Sequence, residues 1–157
     1  MLEKLRLGCD GIDDVGLTVV ATALSYNPTL KDLDIRWTRS ITTVGWQALF
    51  TSLQNPKSSL ETLVVCQGVD DEALNVLSNA LCNKSSIDSI YNSNHALHRM
   101  ESTSHHLNDI LSRDVASLLE LNTNSNKAEV ARQKILRYHF CNGASNFQDF
   151  VNLEVKV

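Results

Sequence analysis

The chain has 157 residues, 43% hydrophobic and 20% charged, which is enough apolar content for one folded domain. A net charge of −4 leaves no overall basic footprint and disfavours nucleic acid as a partner, and no run of apolar residues is long enough to cross a membrane. Four dispersed cysteines (Cys9, Cys66, Cys82 and Cys141) form no CxxC pair, and MLEKLRLG has no signal-peptide core; together they read as an intracellular, cytoplasmic protein with reduced, buried thiols.

The first element is short. In LEKLRLGCDG, Leu5 and Leu7 alternate as on one strand face, then Gly-Cys-Asp-Gly breaks the strand. A helix of about three turns follows, DDVGLTVVATALSYN, with Gly16, Val20, Ala23 and Leu24 at helical spacing. The same pair then recurs: LKDLDI leads to TTVGWQALFTSLQN, and LETLVV leads to DDEALNVLSNALCN. IDSIYN begins a fourth phrase, so Leu2, Leu30, Leu60 and Ile87 stand 28, 30 and 27 residues apart. Gly16, Gly45 and Ala73 keep the period, as do Val20, Leu49 and Leu77, and Leu24, Leu53 and Leu81. The small residue at 16, 45 and 73 is expected to let each helix approach the preceding turn. Asp13-Asp14 and Asp70-Asp71 stand just before helices and read as caps and dipole partners rather than catalytic pairs. A strand and helix of this size cannot close a core alone, so the units are expected to stack.

These phrases resemble the leucine-rich repeat of the ribonuclease-inhibitor-like class, whose motif is LxxLxLxxN/CxL with a helix in each unit. The resemblance covers residues 2–97 and implies an α/β fold, a right-handed solenoid with parallel strands on a concave face and helices on a convex one. The family's Asn/Cys ladder is degraded here: Asp10, Thr38, Gly68 and His95 occupy its places, which implies local irregularity.

Past residue 97 the columns break. A helix is expected over 107–121, a loop at NTNSN and a second amphipathic helix in KAEVARQKILRYHF, while VNLEVKV alternates like a strand. Residues 98–157 therefore read as a helical C-terminal cap, similar to the ends of leucine-rich-repeat proteins of microalgal genomes, a likeness that carries no activity. The chain starts inside a strand, which reads as a fragment of a longer repeat protein or as an edge for self-association with a second copy.

No sequence motif supports catalysis. His95, His98, His105, His106 and His139 have no Cys, Asp or Glu at a familiar ligand spacing, so no metal and no cofactor is expected, and Cys141 near His139 lacks a nucleophile motif. Trp46 and Trp37 read as packing residues, Trp37 the more exposed. The expected functional surface is the concave strand face, with Lys4 and Arg6, then Asp32, Asp34 and Arg36, then Thr62 and Val64, then Ser89 and Tyr91. Rows running from basic to acidic to neutral suit another protein, and relatives of this class (ribonuclease inhibitors, activators of Ran-type GTPases, innate-immune sensors) use the scaffold that way. The expectation is a non-enzymatic protein-docking module; the alternative is a regulatory fragment of a Ran-type GTPase activator or of a larger receptor.

Overall fold

The computed structural model describes residues 2–8, 11–36, 38, 40–65, 68–102, 111 and 113–140. Four short strands, β1 (Lys4–Arg6), β2 (Asp32–Asp34), β3 (Thr62–Val65) and β4 (Arg99–Ser102), form one parallel sheet in chain order. The register puts Leu5, Leu33, Leu63 and Met100 in one row across the sheet. Leu33 and Leu63 are fully buried, each contributing roughly 1.5–3 kcal/mol on transfer from water. Neighbouring strands make the opposite face polar: alternation along each strand sends the flanking residues there.

Each of the first three strands is followed by a helix: α1 (Asp14–Tyr26), α2 (Thr43–Ser52) and α3 (Asp71–Leu81). α1 packs on α2, and α2 on α3. The buried column Leu24, Leu53 and Leu81 runs through all three, joined by Leu17, Leu49 and Leu77. Trp46 is fully buried as expected and stacks on Phe50 at 6.1 Å; Trp37 lies outside the described residues.

The helix starts follow from capping chemistry. Asp13 accepts from the Gly16 amide at 2.9 Å, Thr42 from Val44 at 3.3 Å, and Asp70 from Ala73 at 2.9 Å, each satisfying an N–H that the helix leaves orphaned. Two carboxylates at helix starts, Asp14 and Asp70, also tie one unit to the next. Asp14 accepts from the Thr42 amide (2.8 Å), the Thr42 hydroxyl (2.6 Å) and the Gly45 amide (3.2 Å), and Asp70 accepts from the Thr43 hydroxyl. These bonds, chiefly from the Thr42 and Thr43 hydroxyls, hold both carboxyls below the usual carboxylate range. A Cβ on Gly45 would stand 2.5 Å from an Asp14 oxygen, so the expected close approach is real there. At Gly16 the nearest atom to such a Cβ is 3.4 Å away, so that glycine answers to no close contact.

The fourth unit corrects the sequence reading. IDSIYN is not a strand: Ile87–Tyr91 is a short helix, α4, capped by Ser86, whose hydroxyl accepts from the Ser89 amide at 3.0 Å. The fourth strand comes from LHRMES, with Leu97 standing 37 positions after Leu60 rather than one period on. Residues 99–102, assigned by sequence to the cap, therefore belong to the sheet. Buried Asn94 fixes the new entry to β4. Its amide donates to the Leu53 carbonyl at 3.0 Å, and its oxygen accepts from the Ala96 and Leu97 amides at 2.9 Å. With the strand moved, His95 lies in the loop before β4 and holds no ladder place. Thr38 does sit buried after its strand and donates to the Ile35 carbonyl at 3.1 Å.

Beyond the sheet, α5 (Arg113–Leu121) packs on α3, and α6 (Lys127–Ile135) packs on α4 and runs on as a wider turn over Leu136–Phe140. The helix expected over 107–121 is present from Arg113; residues 107–110, the alternating VNLEVKV, His105, His106, Cys9, Cys66, Cys141 and Asp10 lie outside the described residues.

Candidate functional site: the charged sheet face

Pairing of the strands aligns two rows of side chains on the face away from the helices. Lys4, Asp32, Thr62 and Arg99 form one row, and Arg6, Asp34, Val64 and Glu101 the next. With Arg36 beyond the end of β2, these residues line a shallow cleft. Seven of the nine expected residues are thus brought together: Lys4, Arg6, Asp32, Asp34, Arg36, Thr62 and Val64. Val64 lies in the row but is largely covered. Ser89 and Tyr91 are corrected. They belong to α4 and line two other clefts, Ser89 beside Asn79 and Asn83, and Tyr91 beside Pro56, His95 and Lys127.

Arg99 and Glu101 take their place and were missed. The signal was present in LHRMES, where charged residues alternate around Met100, but Ile87 and Ile90 drew the fourth strand ten residues too early.

The charges are ordered by depth. Lys4 bonds Asp32 at 2.8 Å, Arg36 grips Asp34 with two nitrogens at 2.5–3.0 Å, and Arg99 pairs with Glu101. Arg6 reaches the Asp34 carboxylate only at 3.8 Å, because Arg36 already occupies it. The side chains of Lys4, Arg6, Arg36 and Arg99 are 76%, 82%, 38% and 65% exposed, each more than the carboxylate it pairs with (34% for Asp32, 13% for Asp34 and 43% for Glu101). Each cation therefore stands outside its own carboxylate, as a rim over a floor of Asp32 and Asp34. The Arg36 guanidinium keeps the Asp34 carboxyl below its ordinary range, and the Lys4 ammonium does the same for Asp32. Both aspartates stay ionised at neutral pH, and each rim cation keeps N–H donors for an incoming acceptor.

A second polar cluster lies where α3, α4 and α6 meet. Lys134 is fully buried; its ammonium donates to the Leu81 carbonyl (2.7 Å), the Asn94 carbonyl (3.1 Å) and His95 Nδ1 (3.0 Å). His95 Nε2 sits 3.0 Å from the Tyr91 carbonyl, which assigns it the proton and leaves Nδ1 as acceptor. Burial, with the Lys134 charge second, pulls His95 down to about 4, and burial pulls Lys134 down to about 7. Buried Cys82, its thiol pushed up by desolvation, lies nearby. This cluster fastens α6 to the C-terminal end of α3, where a cation suits the helix dipole, and all three Lys134 donors are used internally. Among the described residues no group of three or more His, Cys, Asp or Glu is placed to hold a metal, and no helix is long and apolar enough to cross a membrane.

A scan against protein-family models gives no match to this chain, and a search among curated proteins finds none significantly similar.

Proposed function

We propose that the chain is a short leucine-rich-repeat solenoid of the ribonuclease-inhibitor-like class, and that it works without catalysis, by docking another protein on its charged sheet face inside the cell. Support for the repeat reading comes from the recurrence of strand and helix in one register, with Leu5, Leu33, Leu63 and Met100 in a single inward row. Support for docking rests on one observation above all: the depth ordering of charge, with Lys4, Arg6, Arg36 and Arg99 as an outward rim over Asp32, Asp34 and Glu101. A rigid sheet presents this pattern at little entropic cost, and a partner whose carboxylates meet the rim and whose donors reach the floor would be favoured over a surface of one sign.

The test places a photo-crosslinking amino acid at Thr62, in the middle of the cleft, and at Asn75 on the exposed side of α3 as control. A partner captured in its own cells from Thr62 and not from Asn75, and lost on Arg36→Glu with Arg99→Glu, supports the reading. Equal capture from both positions, or capture that survives both reversals, removes the sheet face as the docking surface.

A further inference from the structure

The fully buried charge on α6 is held by acceptors rather than by a counter-ion. Lys134 donates to the Leu81 carbonyl at the end of α3, to the Asn94 carbonyl and to His95 Nδ1, at 2.7, 3.1 and 3.0 Å. The other ring nitrogen, Nε2, lies 3.0 Å from the Tyr91 carbonyl of α4, which can only accept. Nε2 therefore carries the proton and Nδ1 is bare. The carbonyls on both sides are main chain, and Asn94 is itself tied to Leu53, Ala96 and Leu97, so neither partner of the ring can turn aside.

This contact has room for one titrating proton. With one, the ammonium faces a bare Nδ1, or the amine lone pair accepts from Nδ1–H; either way every donor meets an acceptor. A second proton leaves Nδ1–H aimed at an ammonium 3.0 Å away, two like charges in a buried site with no acceptor between them. Among the described residues the groups around the pair supply no free counter-charge. Lys127 of α6 adds a positive charge, and Glu61, just before β3, acts on Lys127. Cys82 at the end of α3 is a thiol that burial pushes up, and Asp114 of α5 is spent on Lys84 and the Tyr138 hydroxyl. Burial, with the Lys134 charge second, holds His95 at about 4, whereas the ordinary ring takes its proton near 6.5. Opening the junction between those values therefore takes up one proton, and linkage makes the opening constant rise about tenfold per pH unit as pH falls. Water reaches the ring, because His95 lines an open cleft with Tyr91 and Lys127.

α6 is also placed to move without the repeats. It packs on α4 and α5, and its buried Val130 and Ala131 stand outside the continuous core; Ile135, at its last position, packs against that core from the side. Leu17, Leu33, Leu49, Leu63 and Leu77 belong to the core that the strands and α1–α3 build together, so the cap helix can open as a local unit. We infer that the His95–Lys134 contact is an acid-operated latch: one proton taken up by the pair releases α6 from the end of α3 while α1–α3 and the sheet stay folded. Release bares Val130, Ala131 and the carbonyls of Leu81 and Asn94. The latch does not depend on docking at the sheet face.

Hydrogen exchange of the full chain, read by mass spectrometry between pH 4.5 and 7 and corrected for intrinsic rates, tests this. Protection over residues 130–135 should fall about tenfold per pH unit below pH 6, while peptides from α1 and α2 keep theirs. His95→Gln keeps the polarity, with a carbonyl for Lys134 and an N–H for Tyr91, but takes no proton; its α6 protection should stay flat with pH. Ring nitrogen shifts of the parent, followed by NMR, need no variant and should show His95 taking no proton between pH 7 and 5 while α6 is in place. Four results overturn the inference: α6 protection that ignores pH, loss of protection in α1 and α2 together with α6, an unchanged slope in His95→Gln, or a ring that titrates near 6.5 with α6 still protected.

Discussion

Gly16 and Gly45 occupy the same position of successive units, the third residue of a helix after its cap, yet alanine at the two places is expected to act with opposite sign. In a helix, Gly→Ala by itself is worth about 0.5–1 kcal/mol of stabilisation through lost backbone freedom in the unfolded chain. At Gly16 nothing opposes that gain, since the new Cβ finds its nearest neighbours, Ile12 Cγ2 and Asp13 Oδ1, at 3.4 and 3.5 Å. At Gly45 the Cβ would stand 2.5 Å from Asp14 Oδ1, 3.1 Å from Ile41 Cγ2 and 3.2 Å from the Asp14 Cα. Rotating the carboxylate away does not relieve the backbone contact, and it breaks the bonds from the Thr42 amide and hydroxyl. Overpacking costs about 1–3 kcal/mol and the lost bonds about 1 kcal/mol more, so the net is a loss of about 1–3 kcal/mol. For a chain of this size each kcal/mol moves Tm by about 2–4 °C. Thermal and urea unfolding of Gly16→Ala and Gly45→Ala should therefore diverge, the first rising and the second falling. In an Asp14→Ala background the Gly45→Ala penalty should shrink by at least half, as coupled neighbours require. Shifts of the same sign at both glycines, or strict additivity with Asp14→Ala, would refute the claim that Asp14 stitches the first unit to the second.

Other consequences follow from the same contacts. His95 has a folded-state value near 4 against an ordinary 6.5, so the unfolded chain binds its proton more readily between those values. The His95 contribution to stability should be whole above about pH 6.5 and decline as pH falls toward 4, and urea midpoints at pH 4.5 and 7 should differ less in His95→Gln than in the parent. Asn94→Ala removes three side-chain hydrogen bonds, two of them buried, and should cost about 2–4 kcal/mol, with faster amide exchange confined at first to residues 96–102. Asp34→Ala, which releases Arg36 and Arg6 from one recessed carboxylate, should lower Tm measurably in a thermal melt, whereas Asp32→Ala, in an exposed pair with Lys4, should leave it unchanged within error.

The parts of the fold that were legible are those where local chemistry and packing ask for the same thing. Leu5, Leu33 and Leu63 recur in one phrase because each fills the same place beside the next strand, and Asp13 and Asp70 mark helix starts because a short acceptor is needed there. β4 was missed because Ile87 and Ile90 imitate the first two leucines of that phrase. Their spacing of three also suits a helix, and Ser86 as cap decides it. The sheet-face rows were legible up to the third strand, since alternation alone projects them; Arg99 and Glu101 went unread with their strand. Lys134 left no trace in the sequence. KAEVARQKI reads as a surface helix, and only the meeting of α3, the Asn94 loop and α6 gives that ammonium three buried acceptors.

The β4 end of the sheet is closed by polar contacts, which bears on where a partner binds. At the β4 end, Asn94, Asn122 and Lys134 form a buried polar knot: the Asn122 amide donates to the Leu97 carbonyl at 2.7 Å and the Asn94 carbonyl at 3.3 Å, and Lys134 completes the latter. Its donors are directional and all used, leaving only the buried Asn122 Oδ1 of the knot without a partner among the described residues, so it holds α5 and α6 in one arrangement. On the sheet face the rim cations stand open to a partner, and Lys4→Glu with Arg6→Glu should weaken capture from Thr62.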